Sequence, residues 1–304
     1  MRLGPTLEGF EMTGFVYRYR DQSELDRQMS ARGTVPDITP MMQDYASHSA
    51  AMRSALPCEV NIPYGPTPAE RLDYFPATNP GSPIFVFIHG GYWRMLDAAD
   101  STFMAETFVE AGAAVVALNY ALAPGASVAE IVRQCRAGAA WIYQNAARMN
   151  GDAARIHVSG SSAGGHLGGM MLAGGWAGEY GLPEGFVQSA SLLSGLFDLE
   201  PVRLSNCNDW LNLDAASAAQ LSPQLHLPAR PLPLLICYAP NETEEFKRQS
   251  ECYAAACQAL GCEVEIVCEP GTNHFDLPLR FMDRDAALTR AVVRVMGVMG
   301  VMGV

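Results

Sequence analysis

Charge is scarce in this chain, and positive charge is scarcest. Only 17% of the 304 residues are charged, and 20 Lys and Arg stand against 32 Asp and Glu, a formal net charge of −12. That sign argues against nucleic acid and against an anionic membrane as partners. It also disfavours a polyanionic substrate, short of a local basic pocket. No basic segment followed by an apolar core opens the sequence, and no apolar run nears the ~20 residues that a membrane span needs. The expected location is therefore the cytoplasm. Cysteine is present eight times, yet C-x-x-C is absent, and no pair lies beside histidines at zinc spacing. The expectation is reduced, mostly buried thiols, with no metal and no cofactor. A hydrophobic content of 49% belongs to a globular chain, and this length suits one α/β domain.

Residues 1–57 carry helical signals only: a start near Ser23-Glu24-Leu25-Asp26 and a helix from Thr39 to Leu56, stopped by Pro57. They read as an N-terminal arm that packs over the main body, a structural cover by default, with part of a lid above the site as the alternative. Cys58–Pro63 and Arg71–Pro76 read as an antiparallel hairpin. Ile84–Ile88 is a continuous apolar run, as in a central strand covered on both faces. Strands and helices then alternate. Strands are expected at Ala114–Asn119, Arg155–Ser159, Val187–Leu193, Pro233–Tyr238 and Glu263–Cys268. Helices are expected at Ser101–Ala111, Val128–Met149, Gly165–Gly175 and from the 239–245 loop through Leu260, with a helical remainder. The rhythm implies an α/β fold, a mostly parallel central sheet with helices on both faces. Residues 199–231 break it and read as an irregular, cap-like insertion at the mouth of a pocket. Residues 295–304 form a low-complexity Val-Met-Gly tail.

The chemistry gathers at the strand ends. Gly160-Ser161-Ser162-Ala163-Gly164 matches G-x-S-x-G, between an apolar strand and a helix rich in small residues. Alone, the pattern could be a Gly/Ser-rich loop. In that context, Gly160 and Gly164 permit a turn too tight for side chains, with Ser162 at its tip. The strand Ile84–Ile88 runs into His89-Gly90-Gly91-Tyr92-Trp93, whose glycines allow backbone N–H groups to approach an oxyanion.

Serine needs a base to take its proton, and the base needs an acid to fix its tautomer. His274 lies in the loop after the last strand and Glu242 in the loop after the strand before it. The chain order Ser162, Glu242, His274 is that of a Ser…Asp/Glu…His hydrolase. Of the other histidines, His48 and His226 lie away from strand ends and His157 sits inside a strand. His89 reads as a brace for its loop, and His166 packs or hydrogen-bonds near the serine. Glu244 and Glu245 read as first-turn residues of the next helix. Trp93, Trp210 and His166 are expected near the substrate, with structural packing an equal reading for Trp210.

His-Gly-Gly-Tyr-Trp at 89–93, Gly-Ser-Ser-Ala-Gly-Gly-His-Leu at 160–167, Ser-Gly-Leu-Phe-Asp-Leu at 194–199 and Asn273-His274-Phe275 together resemble the arylformamidase (kynurenine formamidase) group of α/β-hydrolases. Tyr64-Gly65, Arg71-Leu72-Asp73, Glu245-Phe246 and Gln249-Ser250 belong to the same resemblance, which spans the chain from about Leu25 to the His274 loop. It implies the α/β-hydrolase fold, oxyanion donors at the N–H groups of Gly91, Tyr92 and Ala163, and cleavage of an aryl formamide. It departs at the acid, where many relatives carry Asp and this chain has Glu242. A broad short-chain carboxylesterase of hormone-sensitive-lipase type, a hydrolase of another catabolic amide or carbamate, and a non-catalytic receptor stay as alternatives. The expected partner is a small-molecule substrate, and a homodimer is left open.

Overall fold

The computed structural model describes residues 16–297. The first part of the expected arm and nearly all of the Val-Met-Gly tail, 298–304, lie outside the described residues. The arm contributes α1 (Gln22–Gln28) and α2 (Thr39–Ala55). Asp21 caps α1, its carboxylate accepting from the Glu24 N–H. The hairpin follows as β1 (Glu59–Pro63) and β2 (Arg71–Phe75), then β3 (Ser82–Ile88), α3 (Ala105–Glu110), β4 (Ala114–Leu118), α4 (Val128–Gln144), β5 (Gly151–Ser161) and α5 (Ala163–Leu172). After β6 (Val187–Leu193) come three short helices, α6 (Glu200–Leu204), α7 (Asn208–Leu211) and α8 (Ala215–Gln220). The chain ends with β7 (Pro233–Tyr238), α9 (Glu244–Leu260), β8 (Glu263–Cys268) and α10 (Ala287–Val295).

The eight strands form one sheet in the order β1-β2-β4-β3-β5-β6-β7-β8. β2 is antiparallel to both β1 and β4, and every other pairing is parallel. This is the α/β-hydrolase fold. Alternation along β3 shows why both faces are covered. Ile84, Val86 and Ile88 point into the layer with α4, α5 and α9. Phe85 and Phe87 point into the layer with α3 and α10, where Phe85 stacks on Phe108 with centroids 3.9 Å apart. Period-two side chains between two helical layers leave every residue of β3 buried.

Several boundaries differ from expectation. The helix expected over Val128–Met149 stops at Gln144, where Asn145 leaves helical geometry at φ −110° and ψ +14° and its side chain bonds back to Trp141 O. A 3-10 turn then leads to left-handed Asn150. The helix expected over Ser101–Ala111 is only α3, since Ser101 and Thr102 bond instead to Asp97 and to Ser49 of the arm. The elbow strand starts earlier and is eleven residues long. The 199–231 segment is helical in short pieces, α8 being closed by a capping box between Asp214 and Ser217. All eight cysteines are free thiols and five are buried. Among the described residues no helix is long and apolar enough to cross a membrane.

Candidate active site

The parallel strands end at one rim, and there their loops meet. Ser162 follows β5 with φ +58° and ψ −117°, a conformation that costs energy and is held by its surroundings. Its N–H donates to Leu193 O at 2.8 Å. The turn works only with glycine on either side. A Cβ on Gly160 would lie 2.3 Å from Gly164 O, and one on Gly164 would lie 2.0 Å from Ile88 O. The elbow is thus wedged against the end of β3, where the Gly-Gly-Tyr-Trp loop begins.

That loop turns on three consecutive left-handed residues, Gly91, Tyr92 and Trp93, at φ +92°, +50° and +58°. Two non-glycine residues held there mark strain at a working site. A Cβ at Gly91 would lie 2.4 Å from Met95 O. The N–H groups of Gly91, Tyr92 and Ala163 bond to no described acceptor. Ala163 is the first residue of α5, where amides are free by construction. His89 braces the loop: its ring stacks on Tyr120 at 4.1 Å, and the Tyr120 hydroxyl lies within hydrogen-bonding distance of His89 O and Gly90 O.

His274 and Glu242 meet on the other side. Nδ1 of His274 lies 3.2 Å from Glu242 Oε1, and both residues are 4% exposed. The same oxygen accepts from the Ser194 hydroxyl at 2.5 Å and the Ala239 N–H at 3.3 Å. The imidazole is held edge-on between Phe246 and Phe275. Neither Ser162 Oγ nor His274 Nε2 is engaged by another described group, and both residues line one cavity of about 340 Å³. In such pairs the hydrogen bond often tightens only when substrate is in place.

Ser194 was not anticipated. It follows β6 in a left-handed turn, and its one signal in the sequence is its place in Ser194-Gly195-Leu196-Phe197-Asp198. The arm supplies part of the cavity wall: Met29, Arg32, Ile38, Met42 and Tyr45 line it. The arm is anchored on the loop that carries Glu242 and on the helix that follows it. Thr243 Oγ1 donates to Gln28 O, and the Tyr19 hydroxyl donates to Glu245. Glu245 is fully buried in this contact, while Glu244 is solvent-facing and paired with Lys247.

Trp210 lines the cavity, but Trp93 and His166 do not. The expectation that these two contact substrate is corrected. Consecutive left-handed residues turn Trp93 inward until it is fully buried. Its indole N–H donates to His166 Nδ1 at 3.3 Å, which leaves His166 Nε2–H to donate to Leu221 O at 2.7 Å. The pair ties the Gly-Gly-Tyr-Trp loop to α5 and to the insertion.

Burial lowers the pKa of His89 and His166 to about 4. It lowers that of His157, which sits between Ser189 and Ser191 of β6, to about 3. All three stay neutral in the fold but ionise near 6.5 once unfolded. Their stabilisation is therefore complete above pH 6.5 and is lost as pH falls toward 4. At pH 5.5 the unfolded chain binds roughly three more protons at these sites, a slope on the order of 4 kcal/mol per pH unit. Urea midpoints at pH 5, 6, 7 and 8 check this: a flat profile below pH 6.5 would be the contrary result.

Fold and site together define an enzyme of the α/β-hydrolase class. Comparisons narrow it. Residues 72–178 match the BD-FAE family model. The chain is 30% identical over 283 residues to kynurenine formamidase of Salmo salar, covering 90% of this chain and 93% of that one. It is 31% identical over 252 residues to kynurenine formamidase of Danio rerio, covering 81% and 84%. A hyperthermophilic esterase from the archaeon Pyrobaculum calidifontis superposes with a TM-score of 0.66 at 21% identity, over 86% of this chain and 92% of that one. The chain belongs to the kynurenine formamidase family.

Proposed function

We propose that this protein hydrolyses aryl formamides, with Ser162 as nucleophile, His274 as base and Glu242 as the acid that orients His274. The observation that carries the reading is that Ser162 and His274 share one cavity, with the far nitrogen of His274 held by a buried carboxylate. Membership in the kynurenine formamidase family supports the formamide.

Ser162 Oγ attacks the formyl carbon while His274 Nε2 takes its proton. The carbonyl oxygen becomes an oxyanion facing the N–H groups of Gly91, Tyr92 and Ala163. Collapse breaks the C–N bond, and His274 returns the proton to the leaving arylamine. Water, deprotonated by His274, then attacks the formyl ester and releases formate and free Ser162. A formyl group fills almost none of the 340 Å³, so recognition falls on the leaving side. Tyr45, Tyr92, Phe103 and Trp210 give that side aromatic walls.

A second reading, a short-chain carboxylesterase, is favoured by the apolar lining of Met29, Ile38, Met42 and Leu96, which also suits an acyl chain. Formate release from an aryl formamide is expected to have a kcat/KM at least about tenfold above that of a short p-nitrophenyl ester, a difference of ~1.4 kcal/mol in transition-state binding. Ester cleavage without formamide cleavage would decide for the esterase.

A further inference from the structure

Two carbonyls at the end of α1 reach both halves of the catalytic apparatus. The last turn of a helix leaves its C=O groups without intrahelical donors, and α1 ends at Gln28 with Met29 as its cap. Gln28 O accepts from the Thr243 hydroxyl at 2.6 Å. Met29 O accepts from the Tyr92 hydroxyl. Thr243 directly follows Glu242, and Tyr92 belongs to the Gly-Gly-Tyr-Trp loop. Both arm residues are buried.

The start of α9 shows how far the loop of Glu242 depends on the arm. Thr243 stands at the N-cap of α9, where a threonine hydroxyl ordinarily accepts from an N–H of the first turn. Here it makes no such bond, since the hydroxyl is turned to Gln28 O. The missing acceptor comes from 217 positions earlier: Gln28 Oε1 takes the Glu245 N–H at 3.2 Å. The helix that begins just after Glu242 is thus capped by the arm. Two tyrosines fix the arm in the same place. The Tyr19 hydroxyl donates to Glu245 and the Tyr17 hydroxyl to Asp198, and Arg248 pairs with both carboxylates.

We propose that Gln28 and Met29 are positioning residues for catalysis: Gln28 sets Glu242 through the cap of α9, and Met29 sets the Tyr92 N–H through the Tyr92 hydroxyl. The assignment rests on the reading of Glu242 as acid and of the Tyr92 N–H as oxyanion donor. Consecutive residues of one short helix carry both bonds, so acid and donor are held in one frame. Gln28 does not line the cavity, so its effect on rate cannot come from touching substrate. Tyr92 is left-handed at φ +50°, and a non-glycine residue stays there only while its surroundings hold it. The Trp210 indole N–H, 3.2 Å from Tyr92 O, is a second hold, so loss of the hydroxyl loosens the loop without freeing it.

The test uses the full chain and reads kcat, KM and melting temperature on an aryl formamide and on a short p-nitrophenyl ester. Gln28→Ala and Tyr92→Phe should each lower kcat about tenfold with KM little changed, a fraction of the ~100-fold that a 1 Å misplacement costs. Thr243→Val should lose a comparable amount, and Thr243→Ser, which keeps the hydroxyl, should recover most of it. The substitutions are then repeated in a Glu242→Gln background. With the acid already removed, Gln28→Ala should cost nothing further, because residues that act through one group are not additive. Tyr92→Phe should keep its full loss there. If Gln28→Ala does not fold, Thr243→Val takes its place, since it leaves the Gln28 cap intact. A Gln28→Ala loss carried undiminished into the Glu242→Gln background would mark a merely structural role and overturn the proposal, with the triad left standing. Wild-type kcat in Gln28→Ala or in Tyr92→Phe would overturn the half of the proposal that each tests. Wild-type kcat in Glu242→Gln would overturn the acid assignment, and the role of Gln28 with it. The expected losses on the ester, with the formamide uncleaved even by wild type, would overturn the formamidase reading and uphold the positioning roles.

Discussion

Replacing Ser162 by alanine should reduce kcat on an aryl formamide by roughly 10⁴- to 10⁶-fold, as removal of an activated nucleophile does elsewhere. The fold should not notice. Alanine loses one hydroxyl, and that hydroxyl bonds to no described group. The strained φ of +58° is imposed from outside, by the bond from the residue's own N–H to Leu193 O and by the close approaches at Gly160 and Gly164. Alanine keeps all of these, so thermal stability should shift by less than about 1 kcal/mol. Parallel measurement of formate release and of the melting temperature separates the two effects. A Ser162→Ala protein with more than a tenth of wild-type activity would remove the nucleophile assignment. An inactive but unfolded one would say nothing of chemistry, and so the melt is part of the test.

What could be read in advance depended on how local its cause is. The Gly160–Gly164 elbow is a constraint among neighbours in sequence, and the strand before it and helix after it state their periods plainly. Helices between apolar strands dictate the parallel sheet, since parallel neighbours need a crossover. His274 and Glu242 follow from the same logic, being polar residues just past the last two parallel strands. Trp93 failed because side-chain direction in a tight loop depends on φ at single residues. Three left-handed positions in a row turn an expected pocket residue into a core residue, and neither Tyr92 nor Trp93 advertises φ > 0. Ser194 was invisible because its role is set by where β6 ends relative to β7, a three-dimensional fact. The arm's anchoring was likewise hidden: Gln28 and Tyr19 meet Thr243 and Glu245 across more than two hundred residues. The short helices within 199–231 were missed since four to six residues carry too little periodicity to register.

The second large effect is expected at Glu242, where this chain has the longer acid. Glu242→Gln removes the charge yet preserves shape. The glutamine must either turn its NH₂ toward His274, which fixes the wrong tautomer, or turn its oxygen there without the charge that stabilises imidazolium. Either way kcat should fall about 10⁴-fold, the loss seen when a triad acid becomes an amide, with KM little changed. Stability should hold or rise, because the Glu242 side chain is 1% exposed and its second oxygen, Oε2, is buried without a hydrogen-bond partner. Glu242→Asp is the sharper probe. Shortening by one methylene withdraws the carboxylate by ~1.5 Å. The oxygen now shared by Ser194, Ala239 and His274 could then no longer reach all three donors. Misplacement of about 1 Å costs on the order of 100-fold, so aspartate should fall between wild type and glutamine. If aspartate instead matched or exceeded the wild type, the loop would be reshaping itself around the shorter acid. The contacts made by Ser194 and Ala239 would then not be what holds His274 in register.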